Sequence, residues 1–384
     1  MKYLFLSRKN VHFRYYLELT KGLDLPTQVY RFGFPVFRSF SYLGRTADID
    51  LSEVIETQLK RRKAKQPGIR SFSLLLNLYI FGLRIFEKFR VAKYLYLFEK
   101  ERPISVVLWN GKKLPNQIVA IVAAYLEIPV FYFEIGLLPN TTTLDAKGVN
   151  YAASIPRDKI FYEKMSSIES NRVKTEIAAR KPLKNRSKFS TIDLPERYIF
   201  VPFQVPHDTQ IACYSPWIDS MEMMYEMIMN AVDKSSDKET IFVFKEHPSW
   251  KKHFEHLYNK HPRAMFANGN QTVDLIKNAE AIITINSTVG LEALSLSKKV
   301  ITLGEACYNV PSLVQNATNL EDLISCLNNV KSWDFDKSLR DNFFKYLREI
   351  YCIPSSHHKI TLEHTDAIKA RLLGEDLLAE LVVE

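Results

Sequence analysis

Cysteine is scarce and scattered. The four residues, Cys213, Cys307, Cys326 and Cys352, form no C-x-x-C pair. That excludes a disulfide framework and a thiolate zinc site, and it points to a reducing compartment. Glycine is also sparse, 12 in 384 residues, which excludes collagen-like repetition. No repeat of solenoid period is present, and no recognisable nucleic-acid motif. Long apolar runs are missing. The most apolar stretch, Phe72 to Phe86, is interrupted by Asn77, Gly82 and Arg84, whereas a membrane-spanning helix needs about 20 apolar residues. After Met1-Lys2 the run YLFLS is too short for a secretory core, and no small-residue cleavage site follows it. An acidic metal motif is wanting as well. Asp48-Ile49-Asp50 has the spelling of D-x-D, but Asp50 stands three residues before Glu53, the capping-box spacing at the start of SEVIETQLKR. Neither a metal nor a cofactor is expected.

What is present describes a folded protein, with 46% apolar and 25% charged residues. The length suits two domains. Fifty-two Lys and Arg against 43 Asp and Glu leave a net charge of +9. This modest excess suits an anionic partner without choosing between lipid, nucleic acid and a phosphorylated small molecule.

The first half alternates strand runs (buried at Lys2–Ser7 and Ile104–Trp109, with Thr27–Phe32 and Pro129–Phe133 beside them) with helical patterns (Arg14–Lys21, Asn116–Leu126). Strand, helix and strand at this spacing make a βαβ unit. Residues 60–98 are basic and amphipathic: Lys60, Arg61, Arg62, Lys63, Lys65, Arg84, Lys88, Arg90 and Lys93 interleave with leucines and aromatics. Such a helix can lie in a membrane interface or cover the first sheet with a solvated outer face. Residues 164–196 are polar and read as a helix and then a linker. A second alternating set follows, with strands at Tyr198–Pro202, Thr240–Lys245, Ala281–Asn286 and Lys299–Leu303 and helices between them. The expected fold is α/β of GT-B type: two Rossmann-like domains, 1–190 and 191–335, facing each other across a cleft. The C-terminal helices 336–384 are expected to pack back toward the first domain.

Ligands in such sheets bind beyond the strand C-termini. Asn110 and Gly111 occupy one such end. Glu134, beside Gly136, occupies another, where burial would suit it to proton transfer; a turn cap is the structural reading. Gln204, His207, Asp208 and Gln210 cluster after a strand. Asp208 there can be a nucleophile or base, or simply shape an Asx-type turn. Lys245-Glu246-His247-Pro248 closes the next strand, placing cationic groups where phosphate oxygens could meet them. Asn286-Ser287-Thr288-Val289-Gly290-Leu291-Glu292 closes a strand and opens a helix. Its free N–H groups and two hydroxyls suit an anion, or Ser287 is an ordinary N-cap. Glu292 lies off the capping-box spacing and is available to ribose hydroxyls.

Taken in order, the blocks E-x-G-L-L-P-N-T-x-T-x-D-x-x-G-V-N-Y-x-x-S-I-P-R, Q-V-x-x-D-T-Q-I, K-E-H-P, N-S-T-V-G-L-E-A-L and K-V-I-T-L-G-E-A-x-Y resemble the capsule polysaccharide synthesis family. They run from about Trp109 to Tyr308, half the chain. Members of KpsC and KpsS type are retaining glycosyltransferases that move β-linked Kdo, an eight-carbon acidic sugar, from CMP-Kdo. The resemblance implies Asp208 as the nucleophile of a double displacement and Glu134 as its acid/base partner. It implies CMP contacts at Lys245, His247, Pro248, Asn286, Ser287, Thr288, Gly290 and Glu292. Sugar or acceptor contacts would come from Asn110, Gly111, Gly136, Asn150, Arg157, Gln204 and Gln210. Domain 1–190 would then be the acceptor side and 191–335 the CMP-sugar side. The acceptor would be a glycan or glycolipid of capsule or lipopolysaccharide (O-antigen) biosynthesis, handled in the cytoplasm at the inner face of the inner membrane, with peripheral contact to anionic lipid. Two departures stand out: Ile135 occupies a position where a second Glu is usual, and the chain holds one module, not two. Another CMP- or UDP-sugar enzyme, transferase or epimerase, is the alternative on this scaffold; a non-catalytic basic lipid-binding module is the third reading.

Overall fold

The computed structural model describes residues 1–33, 36–65, 73–167 and 189–382. The centre of the expected linker, 168–188, lies outside the described residues. The chain divides into two compact units: Met1–Ser154 with Leu347–Glu384, and Ile155–Tyr346.

Among the described residues the strands are, in chain order, β1 (Tyr3–Ser7), β2 (Thr27–Arg31), β3 (Ser105–Trp109), β4 (Val130–Ile135), β5 (Thr141–Asp145), β6 (Tyr198–Pro202), β7 (Ile241–Lys245), β8 (Ala264–Phe266), β9 (Ala281–Thr284), β10 (Lys299–Thr302), β11 (Gln315–Asn316) and β12 (Ile353–Pro354). They form two six-stranded sheets, β12-β5-β4-β3-β1-β2 in the first unit and β11-β10-β9-β6-β7-β8 in the second. The second sheet is parallel throughout. The first is parallel from β2 to β4, with β5 and β12 added antiparallel. The α/β class with two parallel-stranded sheets is therefore as expected from the sequence.

The strands of the first unit show why they read as continuous apolar runs. All five residues of β1 and of β3 are buried, because a parallel sheet is covered on both faces. Side chains alternate across the sheet. Leu4, Leu6, Val106 and Leu108 enter one core, shared with Val54, Ile55, Val91, Tyr94, Leu95 and Phe98. Tyr3, Phe5, Val107 and Trp109 enter the other, shared with Tyr15, Tyr16, Leu19, Ile368 and Leu372. The C-terminal helix Leu362–Leu373 is pinned by buried Arg371, which donates to the carbonyls of Leu144 (2.8 Å) and Ile350 (2.7 Å).

Two local readings need correction. The sequence ends the strand at Phe133, before Glu134, and assigns no strand to Thr141–Asp145. In the structure Glu134 lies within β4, paired across an antiparallel ladder with Thr143 of β5. The threonines of T-T-T-L-D are β-branched and fit a pleated, half-buried ribbon, a signal masked in the sequence by the flanking Pro139 and Asn140. Asp50 accepts from the backbone N–H of Ser52 at 2.9 Å and from its hydroxyl at 2.6 Å, so it initiates the helix Ser52–Lys65. It does so through Ser52 and not through a reciprocal bond from Glu53.

In both sheets the strand order reverses once. From β6 the chain moves to β7 and β8 on one side, then returns to β9 and runs to β10 and β11 on the other. The crevice beyond the C-terminal ends of β6 and β9 is thus a topological switch point, the ordinary ligand position in such sheets. In the first unit the corresponding point lies between β1 and β3.

Candidate active site

In the second unit the loops that follow β6 and β9 are joined by an amide pair. The side chain of buried Gln204 donates to Asn286 Oδ1 at 3.0 Å and accepts from the Asn286 backbone N–H at 3.2 Å. Asn286 Nδ2 then donates to the carbonyls of Gln210 (3.1 Å) and Tyr214 (3.0 Å). With both partners nearly out of water, these bonds hold the two loops in one arrangement.

Asp208 is half-buried in the first of these loops. It is the N-cap of the helix Thr209–Tyr214, accepting from the Gln210 N–H at 3.1 Å and from the Thr209 hydroxyl at 3.3 Å. The turn-forming role is therefore real. The same two donors also orient the carboxylate. Ser287 likewise caps the helix Thr288–Ser295 by accepting from the Val289 N–H at 3.2 Å. Gly290 is needed there for space: a Cβ would stand 2.2 Å from the Tyr308 hydroxyl, which donates to the Ser287 carbonyl at 2.5 Å. Thr288 and Glu292 are part-exposed on this helix.

After β7, Lys245 is buried. Its ammonium donates to the carbonyls of Asn268 (2.9 Å) and Asn270. The lysine therefore orders the 267–270 loop with those donors, a use the K-E-H-P spelling does not reveal. His247 Nδ1 accepts from the Ser249 N–H at 3.2 Å, which leaves the neutral ring's proton on Nε2. Pro248 is exposed. Glu246, passed over in the sequence, is the hub of this segment. Buried, it takes bonds from His253 Nδ1 (2.6 Å), the Phe254 N–H (2.7 Å) and the Tyr258 hydroxyl (2.8 Å). Burial first, and then the bond to Glu246, push the Tyr258 phenol well up. His207 lies with its ring 5.5 Å from Trp250. Arg157 belongs to this unit and is part-buried.

In the first unit Glu134 is half-buried and accepts from Asn110 Nδ2 at 2.5 Å and from the Ile135 N–H at 3.0 Å. Asn110 and Gly111 both adopt left-handed backbone, φ 71° and 72°. At Gly111 a Cβ would lie 2.4 Å from the Tyr132 ring, so only glycine fits this turn. Gly136 is equally confined, packed on Thr141. Asn150, at φ 58°, opens a 3₁₀ turn.

Two groups here are given no role in the sequence reading. Asp145 is fully buried and takes five hydrogen bonds. Its Oδ1 accepts from the N–H groups of Lys147 (2.7 Å) and Gly148 (3.3 Å). Its Oδ2 accepts from the N–H (2.7 Å) and hydroxyl (2.8 Å) of Ser154 and from the Tyr351 hydroxyl (3.0 Å). The D-x-x-G-V-N-Y-x-x-S spelling is thus a loop folded around one carboxylate. The second group is a histidine stack at the switch point. The His12 ring lies parallel to Trp109 at 3.8 Å, with His357 5.0 Å from the same indole. Burial, and then nearby Lys9, His357 and His358, hold the His12 imidazole down to about 4. Its ordinary value is about 6.5. A neutral His12 therefore supports the fold above pH ~6.5, and that support is lost as pH falls toward the folded value. The unfolding temperature is expected to drop across that interval, and His12→Phe to flatten part of the drop. An unchanged slope in thermal scans of the variant would assign the acid sensitivity elsewhere.

Comparison with known proteins bears on the second unit most directly. Residues 172–322 match the family described as capsule polysaccharide biosynthesis protein. That stretch contains the Asp208 loop, the His247 segment and the Ser287 helix start. Over that segment the chain is similar to the capsule polysaccharide synthesis family. Protein FixF of Sinorhizobium fredii is 37% identical over 270 residues, covering 70% of this chain and 64% of FixF. The capsule polysaccharide export protein KpsS of Escherichia coli is 28% identical over 130 residues, 32% of this chain and 33% of KpsS. The chain thus spans less than two thirds of the first relative and a third of the second. Among solved structures, the β-Kdo 2,7 transferase KpsC of Thermosulfurimonas dismutans aligns with a TM-score of 0.48 at 15% identity, covering 90% of this chain and 99% of that one. Within the family segment, the capsule-type motifs coincide with the strand ends that the second sheet gathers at its reversal. Among the described residues no group of three or more His, Cys, Asp or Glu could hold a metal, and no helix is long and apolar enough to cross a membrane.

Proposed function

We propose that this chain is a retaining glycosyltransferase that moves β-Kdo from CMP-β-Kdo to a glycan or glycolipid acceptor. The observation that carries the reading is the Gln204–Asn286 amide pair. It ties an oriented carboxylate, Asp208, to a capped helix start suited to an anion, at the switch point of a parallel sheet. In this reading the donor phosphate lies against the N–H groups of the Ser287 helix start and Nε2–H of His247, the ribose hydroxyls meet Glu292, and Lys245 holds the loop beneath. Gln204, Gln210 and Arg157, and Asn110, Gly111, Gly136 and Asn150, are the candidate contacts to sugar or acceptor. The Asp208 carboxylate attacks the anomeric carbon as the bond to the CMP phosphate oxygen breaks. CMP departs as a stable anion and needs little acid help. An acceptor hydroxyl, deprotonated by Glu134, then displaces Asp208, and two inversions restore the starting configuration. No step calls for a metal or a cofactor.

The test is a donor screen. CMP-Kdo, generated in situ, and a set of UDP-sugars are offered with candidate acceptors, and free nucleotide is assayed. CMP release that depends on acceptor supports the reading; turnover confined to a UDP-sugar would assign the enzyme to another donor. CMP alone is expected to raise the unfolding temperature, since a ligand at about 100 times its Kd stabilises by about 2.7 kcal/mol. His247→Ala should reduce that rise, whereas equal shifts in wild type and variant would remove His247 from the phosphate site.

A further inference from the structure

The helix Ser73–Glu101 has two apolar sides, and among the described residues the core covers one of them. Val91, Tyr94, Leu95 and Phe98 are buried in the first unit's core, with Ile80 and Leu83 packed against it. On another side Leu74, Leu78, Phe81 and Ile85 follow one another at helical spacing and stand 71%, 58%, 65% and 42% exposed. Leu75 and Phe86 widen the strip. Phe37, 85% exposed, reaches it through Phe40, whose ring contacts both Phe37 (5.7 Å) and Phe89 (5.6 Å). Monomeric proteins seldom leave such a run of large apolar side chains in water.

The charge around this strip selects the occupant. Residues 60–98 hold ten Lys and Arg against a single acid, Glu87, so this tenth of the chain carries the entire net charge of +9 and the remainder is balanced. Glu87 does not offset the surface, because it is buried and paired with Arg90. Arg84 and Lys88 flank the apolar strip and are exposed. On the neighbouring helix Ser52–Lys65 the last turn carries Arg62, Lys63 and Lys65, with Arg62 over the Tyr79 ring at 5.4 Å. A second copy of the chain would oppose this cationic field with an identical one, and like charges across an isologous contact repel. An anionic bilayer surface satisfies both halves: acyl chains receive the leucines and phenylalanines, and headgroup phosphates meet the cations.

We infer that the outer face of the helix Ser73–Glu101, with Phe37, is a monotopic membrane-binding surface for anionic phospholipid. The inference stands independently of the sugar chemistry at the candidate active site. The full chain is to be sedimented with vesicles of phosphatidylcholine alone and of phosphatidylcholine mixed with phosphatidylglycerol. Binding is expected to the mixed vesicles and to weaken with salt. The exposed pair Leu78→Ser with Phe81→Ser, and separately Arg84→Gln with Lys88→Gln, should each lower it by about tenfold or more, with unfolding temperature unchanged because none of these side chains is buried. Wild type that fails to bind mixed vesicles overturns the inference, as does an apolar double variant that binds as well as wild type. A wild type that is dimeric in light scattering and a Phe81→Ser variant that is monomeric would assign the face to self-association instead.

Discussion

Asp208→Asn is expected to abolish sugar transfer, by roughly 10³-fold or more, while leaving CMP binding intact. The substitution is informative because of the cap. Asp208 holds the first turn of Thr209–Tyr214 through a bond from the Gln210 N–H, and asparagine caps a helix as well as aspartate does. The loop and its tie through Gln204 to Asn286 should therefore survive. What asparagine cannot supply is an anionic oxygen to bond to the anomeric carbon, so the loss falls on the transition state and not on nucleotide binding. Glu134→Gln is the companion. If Glu134 activates the acceptor, its loss should stall the second displacement and leave sugar on Asp208, seen as added mass on the peptide containing residues 204–210. Normal turnover in Asp208→Asn, with no adduct in either wild type or Glu134→Gln, would reduce Asp208 to its capping role and end the double-displacement reading.

The second large effect is on stability. Asp145→Ala should destabilise the first unit by about 3 kcal/mol or more, because five donors converge on one buried carboxylate and several would be stranded away from water. The damage should centre on residues 145–154, including Asn150, and on Tyr351, which reaches Asp145 from far along the chain. Asp145→Asn should cost less, since an amide keeps one accepting oxygen. Chemical denaturation of the three proteins measures this. A loss below about 1 kcal/mol for the alanine variant would mean that water replaces the missing oxygens.

The sequence by itself determined most of the parallel strands and some of the local chemistry at their ends. Alternating buried runs and helical patterns are set by short-range sterics and hydrophobic period, so β1, β3, β6, β7, β9 and β10 were legible. The Ser287 cap and the Asx reading of Asp208 were legible for the same reason: each is a bond to the backbone two residues on. Tertiary structure decided everything that joins distant segments. The order of strands, and hence which loops meet at a switch point, follows from long-range pairing that no local pattern encodes. The antiparallel entry of β5 and β12 belongs to that class. So do the meeting of Gln204 with Asn286, 82 residues apart, and the reach of Tyr351 to Asp145. Charge alone could not say that Lys245 turns its ammonium to loop carbonyls. Nor could amphipathicity say which apolar side of the Ser73–Glu101 helix the core would bury, because that helix is apolar on more than one face and only its packing against the sheet chooses between them.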